Sequence, residues 1–531
     1  MAGTLPNPTR PPRTTHIAVL STAVLDGDSR ARRVATAARD AGYRVTLIGR
    51  AGPTPDGPAP SASAPRGAAP GGTGAPREAT APPGVAVRHI RVRDVLRTHR
   101  ERRPHPVPRW PLAYRSAEAY DHRTAQLAAA RALLATRGAE LALVHRPLPL
   151  LAAARTAYIL AWLRHGLRAG WVRVRAAQHR AAVRRRRHPT TRLDNLLTAA
   201  TRLLLGRRAW RRLDPGLLDE EVAFGPVLDT VRPHLIHALG HRALGVAIRA
   251  ALRAEASGHR IEVVWDVPPR TPEADRRAQA AAEAHERTFA READGVVTVG
   301  DRLAAELRAR HGLSATPTVA RNTPPLTEPP EHPAGGVRAR CRLAADVPLL
   351  VHTGPVTPDR GAATVVEALP KLYDLHAAFV VPDPADAELA ALRERAAQLG
   401  VHARLHVLPY VPVEEVPAFL ASADIGVLPV RQLPYHQPVL ASRYFEYAHA
   451  RLPVVVSDVR AMAAATLELG NGEVFRAGDT ADFVRAVGAI LTNPRRYRKS
   501  YDRADVLRQW SWQTESAPLL DLYTRLLGPR R

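Results

Sequence analysis

One segment of the 531-residue chain places an arginine and a glutamate at the start of a predicted helix. The segment 442–458 reads SRYFEYAHARLPVVVSD, with Arg443 and Glu446 in the first turns and a buried strand after Pro453. A helix N-terminus offers free N–H groups and a positive dipole to phosphate, and Arg443 adds a cation. Glu446 can accept two hydrogen bonds, which suits a ribose diol, or can serve only as a first-turn carboxylate. The segment is therefore a candidate nucleotide site.

A second segment, 352–369, has complementary features and reads HTGPVTPDRGAATVVEAL. Gly354 ends a predicted strand and lets the main chain approach a diphosphate closely. Arg360 can neutralise that group, and Gly361 opens the next helix. Taken alone, the segment is also compatible with an ordinary strand–turn–helix unit carrying an exposed arginine.

Apolar runs alternate with helical patterns on both sides of these segments. From His16 to Gly49 a strand, a polar loop, a helix and a second strand form a βαβ unit, which implies a parallel sheet. Regular alternation resumes at 234, and a second series starts at 347. The pattern predicts an α/β protein with two Rossmann-like domains facing a central cleft.

The predicted domain boundaries follow changes in composition. Residues 1–14 form a disordered tail, and 15–325 form an amino-terminal Rossmann-like domain. That domain contains a flexible loop at 51–84 and a basic helical insertion at 97–215. Residues 326–505 form a carboxy-terminal Rossmann-like domain, and 506–531 form a helix.

The charge of the chain is concentrated in one place. The formal net charge is +26, and between Arg88 and Arg212 there are 29 arginines and six acids, which leaves +3 for the rest. A hydrophobic fraction of 45% excludes wholesale disorder. A single cysteine, Cys341, excludes a disulfide scaffold and a cysteine-ligated metal centre, and it fits a reducing compartment.

The segment 442–458 resembles the donor-site motif of family 4 glycosyltransferases, which have the GT-B fold. Arg443 stands where the family usually has lysine, and Phe445, Glu446 and Tyr447 match directly. The run from Pro453 to Asp458 also matches. The segment 352–369 and the aspartate-x-arginine in 28–30 are similar to further family features. The resemblance covers both domains but not 51–84 or most of 97–215.

This resemblance implies a retaining, metal-independent transferase that moves a sugar from a nucleoside-diphosphate sugar to a hydroxyl acceptor. The donor is a co-substrate, and no cofactor or metal ligand is expected. The resemblance makes 15–325 the acceptor domain and 326–505 the donor-binding domain, and it implies that the helix 506–531 returns to the first domain. Arg360 and Arg443 would stabilise the leaving diphosphate, and Glu446 would hold the ribose. Other donor-binding residues are expected at Thr353, Gly354, Gly361, Ser442, Phe445, Tyr447 and Asp458. Acceptor-side residues are expected at Asp28, Arg30 and His237, with a helix N-cap as the alternative role of Asp28.

Several positions depart from the family pattern. Pro438 stands eight residues before Glu446, where a sugar-binding glutamate is usual, and Pro355 replaces a donor-phosphate arginine. Arg451 replaces a turn glycine, and Leu239 replaces a histidine, with His237 and His241 as substitutes. Two alternatives therefore stay open. One is a nucleotide-sugar epimerase of the same fold, and the other is a non-catalytic binding or scaffold protein.

The basic insertion allows three interpretations. Its predicted amphipathic helix carries Trp162 and Trp171 on the apolar side, with Arg164, Arg168 and Arg175 close together. That pattern fits docking on an anionic membrane, and a lipid-linked acceptor would require it. A solvated arginine-rich insertion is the second interpretation. Nucleic acid is the least favoured partner, because the known binding motifs are absent. We expect a cytoplasmic protein, peripheral on the inner face of the plasma membrane, without a signal peptide or membrane span.

Overall fold

The computed structural model describes residues 15–25, 28–52, 82–97, 117–143, 148–179, 192–269, 276–326, 335–384, 386–503 and 505–528. The predicted tail at 1–14, most of the loop at 51–84 and the arginine run at 184–187 lie outside these ranges. Two parallel sheets organise the described residues.

The first domain has seven strands and several helices in the described residues. The strands are β1 His16–Val24, β2 Arg44–Arg50, β3 Ala86–Ile90, β4 Leu235–Leu239, β5 Glu262–Val267, β6 Gly295–Thr298 and β7 Thr318–Val319. The helices are α1 Ser29–Asp40, α2 Ala117–Leu143, α3 Leu148–His179, α4 Arg192–Leu205, α5 Trp210–Leu213, α6 Gly216–Val231, α7 Gly240–Glu255, α8 Arg276–Phe289 and α9 Asp301–His311.

The second domain and the end of the chain contribute six strands and ten helices in the described part. The strands are β8 Leu349–Thr353, β9 His376–Val381, β10 Leu405–Pro409, β11 Ile425–Leu428, β12 Val454–Ser457 and β13 Gly472–Phe475. The helices are α10 Val337–Arg340, α11 Ala362–Ala368, α12 Ala387–Gln398, α13 Val416–Leu420, α14 Ser442–His449, α15 Arg460–Leu469, α16 Thr480–Thr492, α17 Pro494–Arg498, α18 Val506–Gln509 and α19 Trp512–Leu527.

Both sheets have the doubly wound strand order. The first runs β3-β2-β1-β4-β5-β6-β7 and the second runs β10-β9-β8-β11-β12-β13. The order reverses between β1 and β4 in the first sheet and between β8 and β11 in the second. Ligands of such sheets bind outside the carboxyl ends of the strands at these reversals. The predicted class of two Rossmann-like domains is therefore confirmed.

Burial explains why the central strands read as continuous apolar runs. All five residues of β8 and all four residues of β11 and of β12 are buried, because helices cover both faces of the parallel sheet. Aspartate side chains cap the N-termini of two helices. Asp28 accepts a hydrogen bond from Ala31 N at the start of α1, and Asp479 caps α16 in the same way.

Helices α2 to α5 form an insertion between β3 and β4. Trp210, in α5, is 1% exposed and packs edge-on against His285 of α8 with ring centroids 4.8 Å apart. The long helix α2 contacts α6 and α7 on one side and α3 on the other. The insertion is thus attached to the first domain through α2 and α5, and α3 lies on its outer side.

The last helix, α19, joins the core of the first domain although it follows the second domain in the chain. Trp512, Leu519, Leu522 and Tyr523 belong to the apolar cluster that includes Ile17 of β1 and Val34 of α1. The Trp512 indole donates a hydrogen bond to the Arg33 carbonyl at 3.0 Å. The chain therefore crosses between the domains twice, before β8 and before α19.

Candidate active site

The candidate site lies where the strand order of the second sheet reverses. Strand β8 ends at Thr353 and β11 ends at Leu428, so Gly354 and Pro429 begin the two loops at that edge. The first domain faces this edge across the cleft. Arg32 of α1 forms an ion pair with Glu414 at 3.2 Å, which links the two domains.

Gly354 and Arg443 are in direct contact. Gly354 has a φ of 112°, and a Cβ at this position would overlap the Arg443 guanidinium. Arg443 is also near the Tyr410 hydroxyl; burial raises the pKa of that hydroxyl, and the guanidinium opposes the shift. The absence of a side chain at 354 thus lets a cation lie against the main chain at the end of β8.

Arg360 is the second cation at this edge. It ends the short turn Pro358–Arg360 that leads into α11. Burial and the charge of Arg443 lower the pKa of Arg360 to about 10, so the Arg360 guanidinium is charged at neutral pH. Burial and these two arginines lower the pKa of His352 to about 3, so His352 is neutral. Two close cations beside a neutral histidine attract an anion.

The residue before Arg360 is Asp359, and its carboxylate is hydrogen-bonded to two other side chains. Its carboxylate accepts a hydrogen bond from the Tyr435 hydroxyl at 2.9 Å and another from Thr357. Gly361, with a φ of 68°, follows the turn, and a Cβ there would overlap the Pro429 carbonyl oxygen. Both contacts hold the Arg360 turn against the loop that follows β11.

Glu446 lies in the second turn of α14, half-buried at the same edge. Burial raises the pKa of this carboxyl, while Arg33 and Arg443 oppose that shift. Among the described residues no side chain or main-chain group donates a hydrogen bond to its carboxylate, so its two oxygens are suited to a ligand with paired hydroxyl groups. Glu446 and the arginine pair therefore provide complementary charges within one site.

Arg33 reaches this site from the first domain. It is 5% exposed, and its Nη1 donates hydrogen bonds to the Asn322 carbonyl at 3.1 Å and to Oδ1 of the same residue at 2.9 Å. Asn322 Nδ2 in turn donates to Ser442 Oγ at 3.4 Å. Within the described residues the Nε and Nη2 groups of Arg33 have no hydrogen-bond partner. Asn322 therefore connects α1 to the N-terminus of α14.

Three of the predicted donor-site residues make buried contacts that support the end of β8 and helix α14. The Tyr447 hydroxyl accepts a hydrogen bond from Thr353 N at 3.1 Å and donates to the Val351 carbonyl at 3.2 Å. Phe445 is 1% exposed and packs edge-on against Trp510. In this structure Tyr447 and Phe445 fix the end of β8 and the helix α14, and direct contact with the donor stays a prediction for both, as for Thr353.

Two further donor-site predictions lie at helix or strand ends. Ser442 begins α14, whose first N–H groups lie beside the cation pair. Asp458 follows β12, and its carboxylate accepts a hydrogen bond from Ala477 N at 2.9 Å. The loop before α14 is held by Gln437, whose Oε1 accepts from Arg460 N at 3.0 Å. Pro438 follows directly, so no acid stands where the family pattern has a glutamate.

The predicted acceptor-side residues make contacts inside the first domain. Asp28 caps α1 and accepts a hydrogen bond from Ser21 Oγ at 2.6 Å. Arg30 pairs with Asp266 at 2.8 Å, and His237 contacts the same carboxylate oxygen at 3.0 Å. Arg30 and Asp266 are both buried, and His237 is fully buried. These contacts assign the three residues structural roles, and an acceptor role stays a prediction.

Sequence reasoning missed Arg33, Tyr410 and His352. Arg33 lies three residues after Arg30 on the same helix, and that spacing was an available signal. Tyr410 follows the edge strand β10, and nothing local connects it to Arg443. His352 was quoted in the segment 352–369 but was given no role.

Within the described residues, no group of three or more His, Cys, Asp or Glu side chains is arranged to hold a metal ion. None of the helices in that part of the chain is long and apolar enough to cross a membrane. A metal-independent reaction stays a prediction.

Comparison with known protein families identifies the second domain. Residues 347–493 match the family described as "Glycosyl transferases group 1". This range contains the two arginines, Glu446 and both glycines of the site. The domain is therefore a group 1 glycosyltransferase domain.

Two curated relatives give the same result. The chain is 29% identical over 349 residues to a GDP-mannose-dependent alpha-(1-6)-phosphatidylinositol monomannoside mannosyltransferase from Mycolicibacterium smegmatis, covering 63% of this chain and 82% of that protein. It is 27% identical over 199 residues to a D-inositol 3-phosphate glycosyltransferase from Nocardia farcinica, covering 36% of this chain and 43% of that protein.

Solved structures share the fold over nearly the whole chain. A sucrose-phosphate synthase from Thermosynechococcus elongatus superposes with a TM-score of 0.54 at 14% identity, covering 97% of this chain and 99% of that one. A trehalose 6-phosphate synthase from Burkholderia multivorans gives 0.51 at 11% identity, with 97% of each chain covered. The fold is GT-B, the protein is a glycosyltransferase, and the transferase interpretation is supported over the epimerase and scaffold alternatives.

Proposed function

We propose that this glycosyltransferase moves mannose from GDP-mannose to a hydroxyl group of a lipid-linked acceptor, with retention of anomeric configuration. The observation that carries the proposal is the pair Arg360 and Arg443 beside Glu446 at the reversal point of the second sheet. Retention follows from the family resemblance. The donor is taken from the mannosyltransferase relative, which aligns over 82% of its own length.

The two arginines would act on the leaving group. In the reaction, the bond between the anomeric carbon and the β-phosphate oxygen breaks, and a bond to the acceptor oxygen forms on the same face. The acceptor hydroxyl would give its proton to an oxygen of the departing diphosphate. Negative charge then develops on the departing diphosphate. Arg360 and Arg443 would stabilise that charge without reorganising, because contacts with Gly354 and the Arg360 turn already hold them in place.

Glu446 would bind the nucleoside. A carboxylate that accepts two hydrogen bonds from the ribose hydroxyl groups binds it with charge-assisted strength. Ionised Glu446 is required for this, and burial raises the pKa of its carboxyl, so donor binding should weaken as the pH falls. The nearby arginines, including Arg33 from the first domain, favour the ionised form.

The proposed location of the enzyme follows from its acceptor. A lipid-linked acceptor is confined to the membrane surface, so we place the protein in the cytoplasm as a peripheral enzyme of the inner face. The arginine-rich insertion supports this placement, since a basic surface is attracted to anionic lipids. Nucleic acid is not proposed as a partner.

The proposal is tested by transfer of radiolabelled mannose from GDP-mannose into the organic phase of a bacterial lipid extract. We expect label transfer by the native protein and a loss of about 100-fold or more for Arg360→Gln and for Arg443→Gln. Arg310→Gln, which replaces an exposed arginine of α9, is the matched control and should retain activity. UDP-glucose in place of GDP-mannose tests the donor, and transfer from UDP-glucose alone would overturn the assignment of GDP-mannose.

A further inference from the structure

The outer helix of the insertion, α3, exposes a continuous apolar stripe. Leu160, Leu163, Leu167 and Trp171 are spaced by three, four and four residues, which places them on one face of a helix. Their exposed fractions are 47%, 60%, 76% and 50%. Ile159, at 58%, borders the same stripe. We call these five residues the α3 stripe.

The opposite face of α3 is covered. Tyr158 lies over Gly138 of α2, where an added Cβ would come within 2.7 Å of the tyrosine hydroxyl, and Val172 is 5% exposed. The helix therefore has one face bound to the protein and one apolar face directed to solvent. Leaving large apolar groups in water is unfavourable, and a contiguous patch of them marks a binding surface.

Arginines border the stripe on both sides. On a helical wheel of 100° per residue, the stripe spans about 120°. Arg164 and Arg168 adjoin one edge and Arg155 adjoins the other, and all three are exposed. Between 141 and 193 the sequence has 12 arginines and no acidic residue, which gives a formal charge of +12 for that segment.

We infer that the α3 stripe docks in the plane of an anionic phospholipid membrane, with its leucines and Trp171 among the acyl chains and its flanking arginines at lipid phosphates. An apolar arc with arginine on both edges is the composition of a helix that lies in a membrane interface. Two further exposed leucines, Leu203 and Leu204 at the end of α4, belong to the same insertion.

Two other occupants fit less well. A second copy of the chain would bring two segments of +12 together, and like charges at that density repel. Nucleic acid would engage the arginines but would leave the aliphatic side chains of Ile159, Leu163 and Leu167 without apolar contact. A lipid surface satisfies both the charged and the apolar parts of this face.

The inference deepens the proposed function, because it names the surface by which the enzyme would reach a lipid-linked acceptor. Its geometric basis is separate from the donor site. Glu446 and the arginine pair belong to the second domain, whereas α3 belongs to the insertion of the first domain. Membrane binding and donor binding can therefore fail independently.

The test is flotation of the full-length protein with vesicles of phosphatidylcholine alone or mixed with phosphatidylglycerol, without donor. We expect the native protein to float with the mixed vesicles and to bind phosphatidylcholine weakly. Leu163→Glu with Leu167→Glu should weaken binding at least about tenfold, since it removes two apolar groups and adds two negative charges. Leu467→Glu, at a leucine of the second domain that is 71% exposed, is the matched control and should bind as the native protein does.

The role of the flanking arginines is tested by the lipid selectivity of vesicle binding. Arg164→Gln and Arg168→Gln should each reduce the preference for phosphatidylglycerol about fivefold, whereas Arg310→Gln should not. Equal binding to both vesicle types, or unchanged binding of the double glutamate variant, would overturn the inference. A lipid-free dimer that the glutamate variant dissociates would assign the stripe to a second copy, and selective binding of DNA over vesicles would assign it to nucleic acid.

A thermal shift with GDP separates the two hypotheses. The double glutamate variant should retain the native GDP shift, because the donor site is unaltered. If the native protein responds to GDP but binds no vesicles, the docking inference fails and the proposed transferase stands. If the native protein binds vesicles but shows no thermal shift with GDP, the proposed transferase function fails and the docking inference stands.

Discussion

The Arg443 guanidinium lies against Gly354, so closely that a methyl group at position 354 would overlap it. This contact joins the first turn of α14 to the end of β8. It places a cation at the carboxyl end of β8. The family pattern usually has an arginine directly after this glycine, and Pro355 stands there in this chain. Arg443 thus supplies a positive charge beside the altered position.

The first prediction concerns that contact. Gly354→Ala should displace Arg443 and weaken GDP binding about tenfold, because the guanidinium loses its place at the diphosphate. It should also destabilise the protein by about 1 kcal/mol through its positive φ. Gly470→Ala provides the control, since Gly470 has a φ of 73° and open space around it. Isothermal titration with GDP and thermal melting measure the two effects, and equal GDP affinity in both variants would contradict the prediction.

Glu446→Gln should weaken GDP binding by about 10- to 100-fold, because one charge-assisted hydrogen bond to the ribose is lost. The stability of this variant should not fall along with its GDP affinity. Burial raises the pKa of Glu446 above its unfolded value, so ionisation of this group opposes folding once the pH exceeds the folded pKa. The glutamine variant lacks that penalty and should melt no lower than the native protein at pH 7. A large drop in melting temperature would show that Glu446 is a structural residue.

Arg33→Gln tests the contribution of the first domain to the donor site. Arg33 lowers the pKa of Glu446, so its removal should raise that pKa further. The pH midpoint for loss of GDP affinity should then move to higher pH, and affinity at neutral pH should fall. A binding titration between pH 5 and 8 measures this shift. Arg310→Gln, which changes an exposed arginine of α9, should leave the midpoint unchanged.

The contribution of His352 to the stability of the second domain should decrease in mild acid. Burial holds the pKa of His352 at about 3, below its unfolded value of 6.5, so the unfolded chain binds a proton that the folded chain does not. The stabilisation from this group is present above pH 6.5 and falls by about 1.4 kcal/mol per pH unit as the pH decreases toward 3. His352→Gln should show a flatter decline in melting temperature between pH 7 and 5. An unchanged slope would mean that His352 is not buried in its neutral form.

Tyr447→Phe tests the support beneath the site. It removes the hydroxyl that accepts from Thr353 N and donates to the Val351 carbonyl, and both groups are buried. Leaving such groups unpaired should lower the free energy of unfolding by about 1–3 kcal/mol. Urea unfolding measures this loss. Tyr373→Phe, at a tyrosine that is 80% exposed, is the control and should change little.

Much of the fold was predictable because its strands are continuous apolar runs between glycine, proline and polar segments. The runs at 349–353 and 454–457 read as buried strands because parallel sheets are covered on both faces. Arg443 and Glu446 were predictable for a similar reason, since both lie at a helix start just before a buried strand. Local spacing was sufficient in these cases.

The rest of the site depends on contacts between distant parts of the chain. His237 stands on a strand that leads to the cleft, which favoured an acceptor role. Tyr523, 286 residues later, contacts its Nδ1 at 2.8 Å and helps to enclose it. Arg33 reaches Glu446 only because the domains meet at Asn322. Such relationships are properties of the tertiary structure. The spacing of Arg33 from Arg30 indicates a shared helix face, but it does not indicate that Arg33 lies near Glu446.

The central claim is that Arg360, Arg443 and Glu446 form the donor site, and ligand-induced stabilisation tests it most directly. Native protein, Arg360→Gln with Arg443→Gln, and Glu446→Gln would be melted with GDP, UDP and GDP-mannose. A ligand that binds only the folded state at 100 times its Kd stabilises it by about 2.7 kcal/mol. We predict such a shift with GDP and GDP-mannose for the native protein and its loss in the double arginine variant. A well-folded native sample that no nucleotide stabilises, or a double variant that keeps the full shift, would contradict the claim.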